Sequence, residues 1–264
     1  MTDRLRVRHG DGSSAEIACI RENGGGDAGR PGVLWLPGLK SDMASGKATA
    51  VADWCRERQI TMTRFDYSGH GRSGSDFEQF VVSDWIADAA AVLDQVAKGP
   101  HVVIGSSMGG WIGLHLALRD ALTPVSERRI AALLLIAPAF DMTTRLMEPQ
   151  LTADARSALA RDGIFIRPSA YDAGGYPITQ RLLDDGRNLA FAGRSLKLDL
   201  PVRIIHGQRD LDVPWQGSVE LAEMITGIDV RLTLLKDGEH RLSRPGDLAL
   251  LMATLTELTG IEKT

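Results

Sequence analysis

The segment VVIGSSMGGW, Val102 to Trp111, constrains this chain more than any other stretch. An apolar run meets two adjacent serines and a glycine pair, and a helical apolar pattern follows. Read as strand, turn and helix, the serines occupy the turn. A Gly-x-Ser-x-Gly elbow bends the backbone so sharply that side chains two residues to either side collide, which is why both flanks are glycine. Ser107 has that spacing, with Gly105 and Gly109. Centred on Ser106, the pattern would need glycine where Ile104 and Met108 stand, so Ser106 is the filler position.

The rest of the chain supplies a matching rhythm. Alternating or fully apolar runs bounded by Gly, Pro or Asp predict strands at Leu5–Val7, Glu16–Arg21, Val33–Leu36, Thr61–Phe65, Val102–Gly105, Ala131–Ala137, Val202–His206 and Val230–Leu235. Helical patterns separate most of the later ones, at Ala44–Arg58, Ser83–Lys98, after Ser107, Trp215–Thr226 and Asp247–Leu258. Eight strands alternating with helices predict a mostly parallel eight-stranded α/β sheet covered on both faces. The rhythm breaks between Phe140 and Asp199. Two helix-like stretches there, Pro149–Arg161 and Ile178–Phe191, flank the Pro- and Gly-rich RPSAYDAGGYP, and about sixty residues is too long for a plain loop. An inserted helical cap over 140–199, within one domain over 1–264, is the economical reading.

Composition excludes several classes. With 264 residues, 44% of them hydrophobic, the chain is sized for one large core. A net charge of −4 without a long basic run argues against a nucleic-acid partner. The longest apolar run, Ile130 to Phe140, is about half of the roughly 20 residues a membrane span needs, so no membrane span is expected. Cys19 and Cys55 form no CxxC and no Cys/His cluster, and read as packing residues of a reducing compartment. The opening MTDRLRVRHGDG has no apolar signal segment, and a cytoplasmic location is expected. Oligomeric state is open.

A serine hydroxyl is a poor nucleophile at neutral pH. It needs a histidine to take its proton and a carboxylate to orient that histidine. The elbow in its strand and helix setting resembles the α/β-hydrolase superfamily over essentially the whole chain, and that resemblance implies the α/β-hydrolase fold. The chain order is then serine, acid after a late strand, and histidine after the last strand. His9, His70 and His101 precede Ser107, His115 lies on the following helix, and His206 comes before any acid that follows a late strand. His240, in KDGEHRLS, remains. In RIIHGQRDLDVPW, Asp210 is the preferred acid, with Asp212 as the alternative. Loops at the carboxyl ends of parallel strands face one crevice, so Ser107, Asp210 and His240 can converge.

A tetrahedral oxyanion needs donors already aimed at it. The elbow offers the Met108 N–H, and the loop LWLPGLKSD, where Gly38 permits close approach, offers the Leu39 N–H. The glycine-rich DYSGHGRSG lacks the order and lysine of a P-loop; it reads as a turn bordering the crevice, with His70 orienting or at the surface. Trp111, Phe140, Met142 and Trp215 are candidate acyl-pocket residues. Lys40 and the cap arginines Arg145, Arg156, Arg161, Arg167, Arg181, Arg187 and Arg194 could attract an anionic substrate, although solvated helix faces account for most of them. Glycine and proline around Asp172–Pro177 suggest a gate.

Five segments, LPGLKSDMASGKA, RFDYSGHGRSG, GSSMGGW, HGQRDLDVPW and EHRLS, together look like bacterial relatives of the abhydrolase-domain-containing protein ten family. That resemblance implies an acyl-protein thioesterase or acyl-glucuronide esterase with Ser107, Asp210 and His240 as nucleophile, acid and base, and a small cap between Phe140 and Asp199. The expected activity is a serine esterase or thioesterase acting on a small-molecule or acylated substrate, through an acyl-enzyme, with no metal or organic cofactor. Ser107 excludes the elbow aspartate of a dehalogenase, and the short cap is not dominated by the acids an aminopeptidase needs. A non-catalytic ligand-binding relative of the fold is the competing reading.

Overall fold

A computed structural model describes residues 2–25, 29–168, 174–191 and 193–261. The strands of the main sheet are β1 (Asp3–Arg8), β2 (Ser14–Glu22), β3 (Gly32–Leu36), β4 (Met62–Phe65), β5 (His101–Ser106), β6 (Ile130–Ile136), and, after two short strands described below, β9 (Val202–Gly207) and β10 (Val230–Leu235). Their spatial order is β1-β2-β4-β3-β5-β6-β9-β10. β1, β2 and β4 pair antiparallel, and every neighbouring pair from β4 to β10 is parallel. This is the expected eight-stranded α/β-hydrolase sheet.

Strand periodicity sorts side chains into two cores. On β3, Leu34 and Leu36 join the core under α2 (Val82–Gln95), α3 (Met108–Asp120) and α6 (Gln216–Met224), while Val33 and Trp35 join the core under α1 (Gly46–Glu57) and α7 (Pro245–Thr259). Each fully buried Val or Leu contributes about 1.5–3 kcal/mol relative to exposure. Cys19 and Cys55 are buried free thiols within these cores, as expected of packing residues.

The chain runs from β3 to β4 on one side and later to β5 on the other, so the sheet reverses direction between β3 and β5. A crevice opens at such a point outside the carboxyl ends of the strands. The loop after β3 and the turn after β5 meet there.

Between β6 and β9 the chain forms short helical turns at Thr143–Met147 and Glu148–Gln150, then α4 (Ala153–Asp162), β7 (Ile164–Arg167), β8 (Tyr176–Thr179) and α5 (Gln180–Leu189). This corrects a purely helical reading of the insertion. β7 and β8 form a separate antiparallel pair, with Ile164 opposite Thr179 and Arg167 opposite Tyr176. Helix α4 starts later than its apolar pattern suggests, because the Thr152 hydroxyl accepts the Ala155 N–H at 3.2 Å and caps it. The first two residues of the Asp172–Pro177 stretch suggested as a gate lie outside the described residues. Helix α5 is tied down on several sides. Asp185 takes the Ser83 N–H and hydroxyl at 2.9 and 2.7 Å, at the start of α2. A Cβ on Gly186 would lie 2.2 Å from the Thr143 hydroxyl, and the Phe191 N–H donates to Asp141 at 2.9 Å.

No helix among the described residues is long and apolar enough to cross a membrane.

Candidate active site

Ser107 links β5 to α3 at φ 55° and ψ −118°, a conformation that L-residues rarely adopt. Three backbone hydrogen bonds hold it there: Ser107 N–H to Ile136 at 2.9 Å, and Gly110 and Ala139 N–H to the Ser107 carbonyl at 2.9 and 3.0 Å. The two motif glycines are required by close approach. A Cβ on Gly105 would stand 2.3 Å from the Gly109 carbonyl oxygen, and one on Gly109 would stand 2.1 Å from that of Leu36. Met108 opens α3, so its N–H belongs to the first turn, which has no intrahelical acceptor. Gly38 faces the elbow: a Cβ there would lie 3.3 Å from Ser107 Cβ and 4.0 Å from its Oγ. This brings the loop carrying Leu39 beside the serine.

A second pair of glycines brings the late loops together. A Cβ on Gly207, at the end of β9, would meet the Gly238 carbonyl at 2.3 Å, and Arg209 N–H donates to that same carbonyl at 2.8 Å. With the two loops in contact, His240 Nδ1 lies 2.7 Å from Asp210 Oδ2. An ionised carboxylate only accepts, so Nδ1 carries the proton and Nε2 keeps its lone pair. Of the two candidate acids, Asp210 is the one that makes this bond. The Asp212 and Val213 N–H groups donate to its Oδ1 at 2.9 and 2.8 Å. Burial pushes the Asp210 carboxyl up, but the bonds from His206 and His240 outweigh it and hold the group well below the usual carboxylate range.

Asp210, Asp212 and His240 also place possible metal-ligand atoms within 4.8 Å of one another. Both Asp210 oxygens are already engaged by N–H donors, so the set fits a hydrogen-bonded pair rather than a cation cage.

The other expected residues are distributed more widely. Trp111 is fully buried in the main core, its ring 6.0 Å from that of His115. Phe140 packs toward α6, under the Arg145 guanidinium at 4.5 Å and close to Gly217. Met142 is buried, and Trp215 is half-buried just before α6. His70 is not a surface residue. It is 4% exposed, edge-on to Tyr67, Phe77 and Trp85, and burial pushes its imidazole down to about 4. Its loop is instead organised by the buried Asp66 carboxylate, which takes the Met43 and Arg72 N–H groups at 2.7 Å each. The Lys40 ammonium lies 5.5 Å from the Phe77 ring centre.

The arginines of the insertion are spent within the protein. Arg145 grips Glu220 through two bonds, and Arg187 reaches Glu148. Arg161 pairs with Asp162 and Arg181 with Asp11, while Arg156, Arg167 and Arg194 donate to Glu148, Gln150, Phe191 and Ala190.

Two contacts lay outside the sequence reading. His206, fully buried, places Nε2 3.1 Å from Asp210 Oδ2 and Nδ1 2.7 Å from Ser218 Oγ. Lys47 on α1 donates to the Arg241 carbonyl, beside His240, and burial lowers its ammonium to about 8. The available signal was the four-residue spacing of HGQRD, which wraps the end of β9 back onto itself.

A family model described as serine aminopeptidase, S33, matches residues 31–162. The palmitoyl-protein thioesterase ABHD10, mitochondrial, of Mus musculus is 33% identical over 229 residues, covering 86% of this chain and 75% of that protein. The chain belongs to the α/β-hydrolase family. Among solved α/β-hydrolase structures, a putative hydrolase from Agrobacterium vitis S4 superposes with a TM-score of 0.93 at 36% identity, over 98% of both chains. Mouse alpha/beta hydrolase domain-containing protein 10 superposes with a TM-score of 0.82 at 31% identity, over 97% of this chain and 98% of that one.

Proposed function

We propose that the protein hydrolyses acyl thioesters and esters through a Ser107 acyl-enzyme, with His240 as base and Asp210 as its orienting acid. The observation that carries this reading is the 2.7 Å bond between His240 Nδ1 and Asp210, formed at the carboxyl ends of the strands where the strained Ser107 elbow also lies. Ser107 Oγ attacks the acyl carbon as His240 Nε2 takes its proton. The Met108 and Leu39 N–H groups receive the developing oxyanion, and each such donor is worth about 10²–10³ in rate. His240 returns the proton to the departing thiolate or alkoxide. Water, deprotonated by His240, then attacks the acyl-enzyme and releases the acid and Ser107. No step calls for a metal or an organic cofactor.

The thioester preference rests on similarity to proteins named palmitoyl-protein thioesterase. An aminopeptidase would need carboxylates free to hold an amine. Glu148, Asp162, Asp184 and Asp185 of the insertion are instead engaged by arginine, serine or glutamine donors. The insertion forms the cap, and Phe140, Met142, Trp111 and Trp215 are the side chains proposed to shape the acyl pocket beneath it. The relatives of this name are described as mitochondrial.

The test is hydrolysis of a chain-length series of acyl thioesters, matched oxoesters and an aminoacyl p-nitroanilide. Turnover of thioesters above the anilide, falling about 10⁴-fold or more in Ser107→Ala, is expected. Anilide turnover exceeding both ester series would reverse the assignment.

A further inference from the structure

Asp210 Oδ2 accepts from two histidines at once, His240 at 2.7 Å and His206 at 3.1 Å. The second histidine is fully buried and lies on β9, and the chemistry proposed above gives it no part. The proton on its Nε2 can be placed from the neighbours. Nε2 faces two groups that only accept, the ionised Asp210 and the Val213 carbonyl at 3.0 Å, so Nε2 carries a proton. In the neutral ring Nδ1 is then an acceptor. The Ser218 hydroxyl, 2.7 Å away on α6, is a donor able to fill it.

Resting on the proposed Ser107–His240–Asp210 chemistry, we infer that His206, its ring held in place by Ser218, is a positioning residue for the acid. It locks the Asp210 oxygen that His240 uses. The Asp212 and Val213 N–H groups hold the other oxygen at 2.9 and 2.8 Å, so the carboxylate has no free rotation about its last bond. The His206 donor orients the Asp210 oxygen toward the imidazolium that forms at His240. The Ser218 hydroxyl, 2.7 Å from Nδ1, holds the far side of the ring and so fixes the plane in which Nε2 meets Asp210.

Two near-isosteric variants separate this role from packing. The amide nitrogen of His206→Gln reaches approximately where Nε2 stands and keeps a donor for Asp210. His206→Asn keeps a polar group near Nδ1 but is too short to reach Asp210. The readouts are hydrolysis of p-nitrophenyl acetate across pH, the rate of fluorophosphonate labelling, and Tm. We expect His206→Asn to lower kcat about 10- to 100-fold, the range for one hydrogen bond to a charged group, with KM unchanged. Its acid limb should move to higher pH, because a carboxylate with one donor fewer is more basic and raises its histidine partner. We expect His206→Gln to return both kcat and the limb toward wild type. The charged groups sharing the site, Asp210, Asp212, Lys47 and Arg241, are the same in both variants, so the difference reports the lost donor.

Wild-type kcat and acid limb in His206→Asn would overturn the inference. So would equal losses in both variants with an unmoved limb, which is the signature of packing alone. Wild type that labels at Ser107 while both variants behave like it defeats only this inference. Wild type that fails to label defeats the chemistry on which it rests.

Discussion

Ser107 holds φ 55°, and the residues around it are arranged to keep it there. A non-glycine residue in such a region costs about 1–3 kcal/mol, stored at the residue proposed as the nucleophile. Glycine would relieve that strain while adding about 0.5–1 kcal/mol of chain entropy cost. Ser107→Gly is therefore expected to match or exceed the wild-type Tm while losing activity. Ser106→Gly, a substitution on strand β5, is expected to lower it. Equal falls in both, measured by thermal unfolding, would show that the elbow carries no strain. At this scale the elbow was legible, because the glycine spacing that avoids collision is itself a sequence pattern. Asp210 was preferred to Asp212 from position alone, and in the structure Asp210 is the one bonded to His240. His206 was passed over, because chain order ranks a histidine before the acid as irrelevant. Its contact depends on the turn after β9, which brings Asp210 back over the strand end.

At the scale of elements, the eight strands of the main sheet were visible as alternating or fully apolar runs: central strands such as β5 and β6, buried on both faces, need nearly continuous apolar residues, whereas the outer β1 alternates. The insertion was harder to read. IFIR and YPIT are four residues each, too short to show a period, and Pro177 argues against a strand unless it sits where no ladder donor is needed. The same Pro- and Gly-rich composition suggested a gate. Away from that stretch, the insertion has a side-chain anchor at Asp185 and Ser83, a bidentate Arg145–Glu220 pair and a close approach of Gly186 to Thr143. Close approaches of this kind depend on which helix faces meet, and composition does not carry that information. The contact of Gly207 with Gly238 is similar in kind, since each glycine looks like an ordinary loop residue until the strands are placed side by side.

Across the whole molecule, buried histidines couple stability to pH. Burial pushes His70, His101 and His115 down from 6.5 to about 4, so each stays neutral in the fold where the unfolded chain would bind a proton. Stability from this source is fully present above pH 6.5 and is lost as pH falls toward 4, by on the order of 3 kcal/mol for each group at most. His9 acts in the opposite sense. Its bond to Asp88 raises it, so its contribution is present below 6.5 and is lost as pH rises through its folded value. Three groups outweigh one. The urea midpoint is expected to fall between pH 6.5 and 5, above the usual carboxylate range. A flat midpoint across that window would mean that these imidazoles are solvated in the fold.

The central claim is that the elbow, the late acid and the last histidine form one working nucleophile. The most direct measurement is intact mass after treatment with a fluorophosphonate, in wild type, Ser107→Ala and Ser106→Ala. The account predicts one adduct in wild type and in Ser106→Ala, and none in Ser107→Ala. A folded wild-type protein that forms no adduct would contradict it, and would leave a crevice that binds a ligand without turning it over.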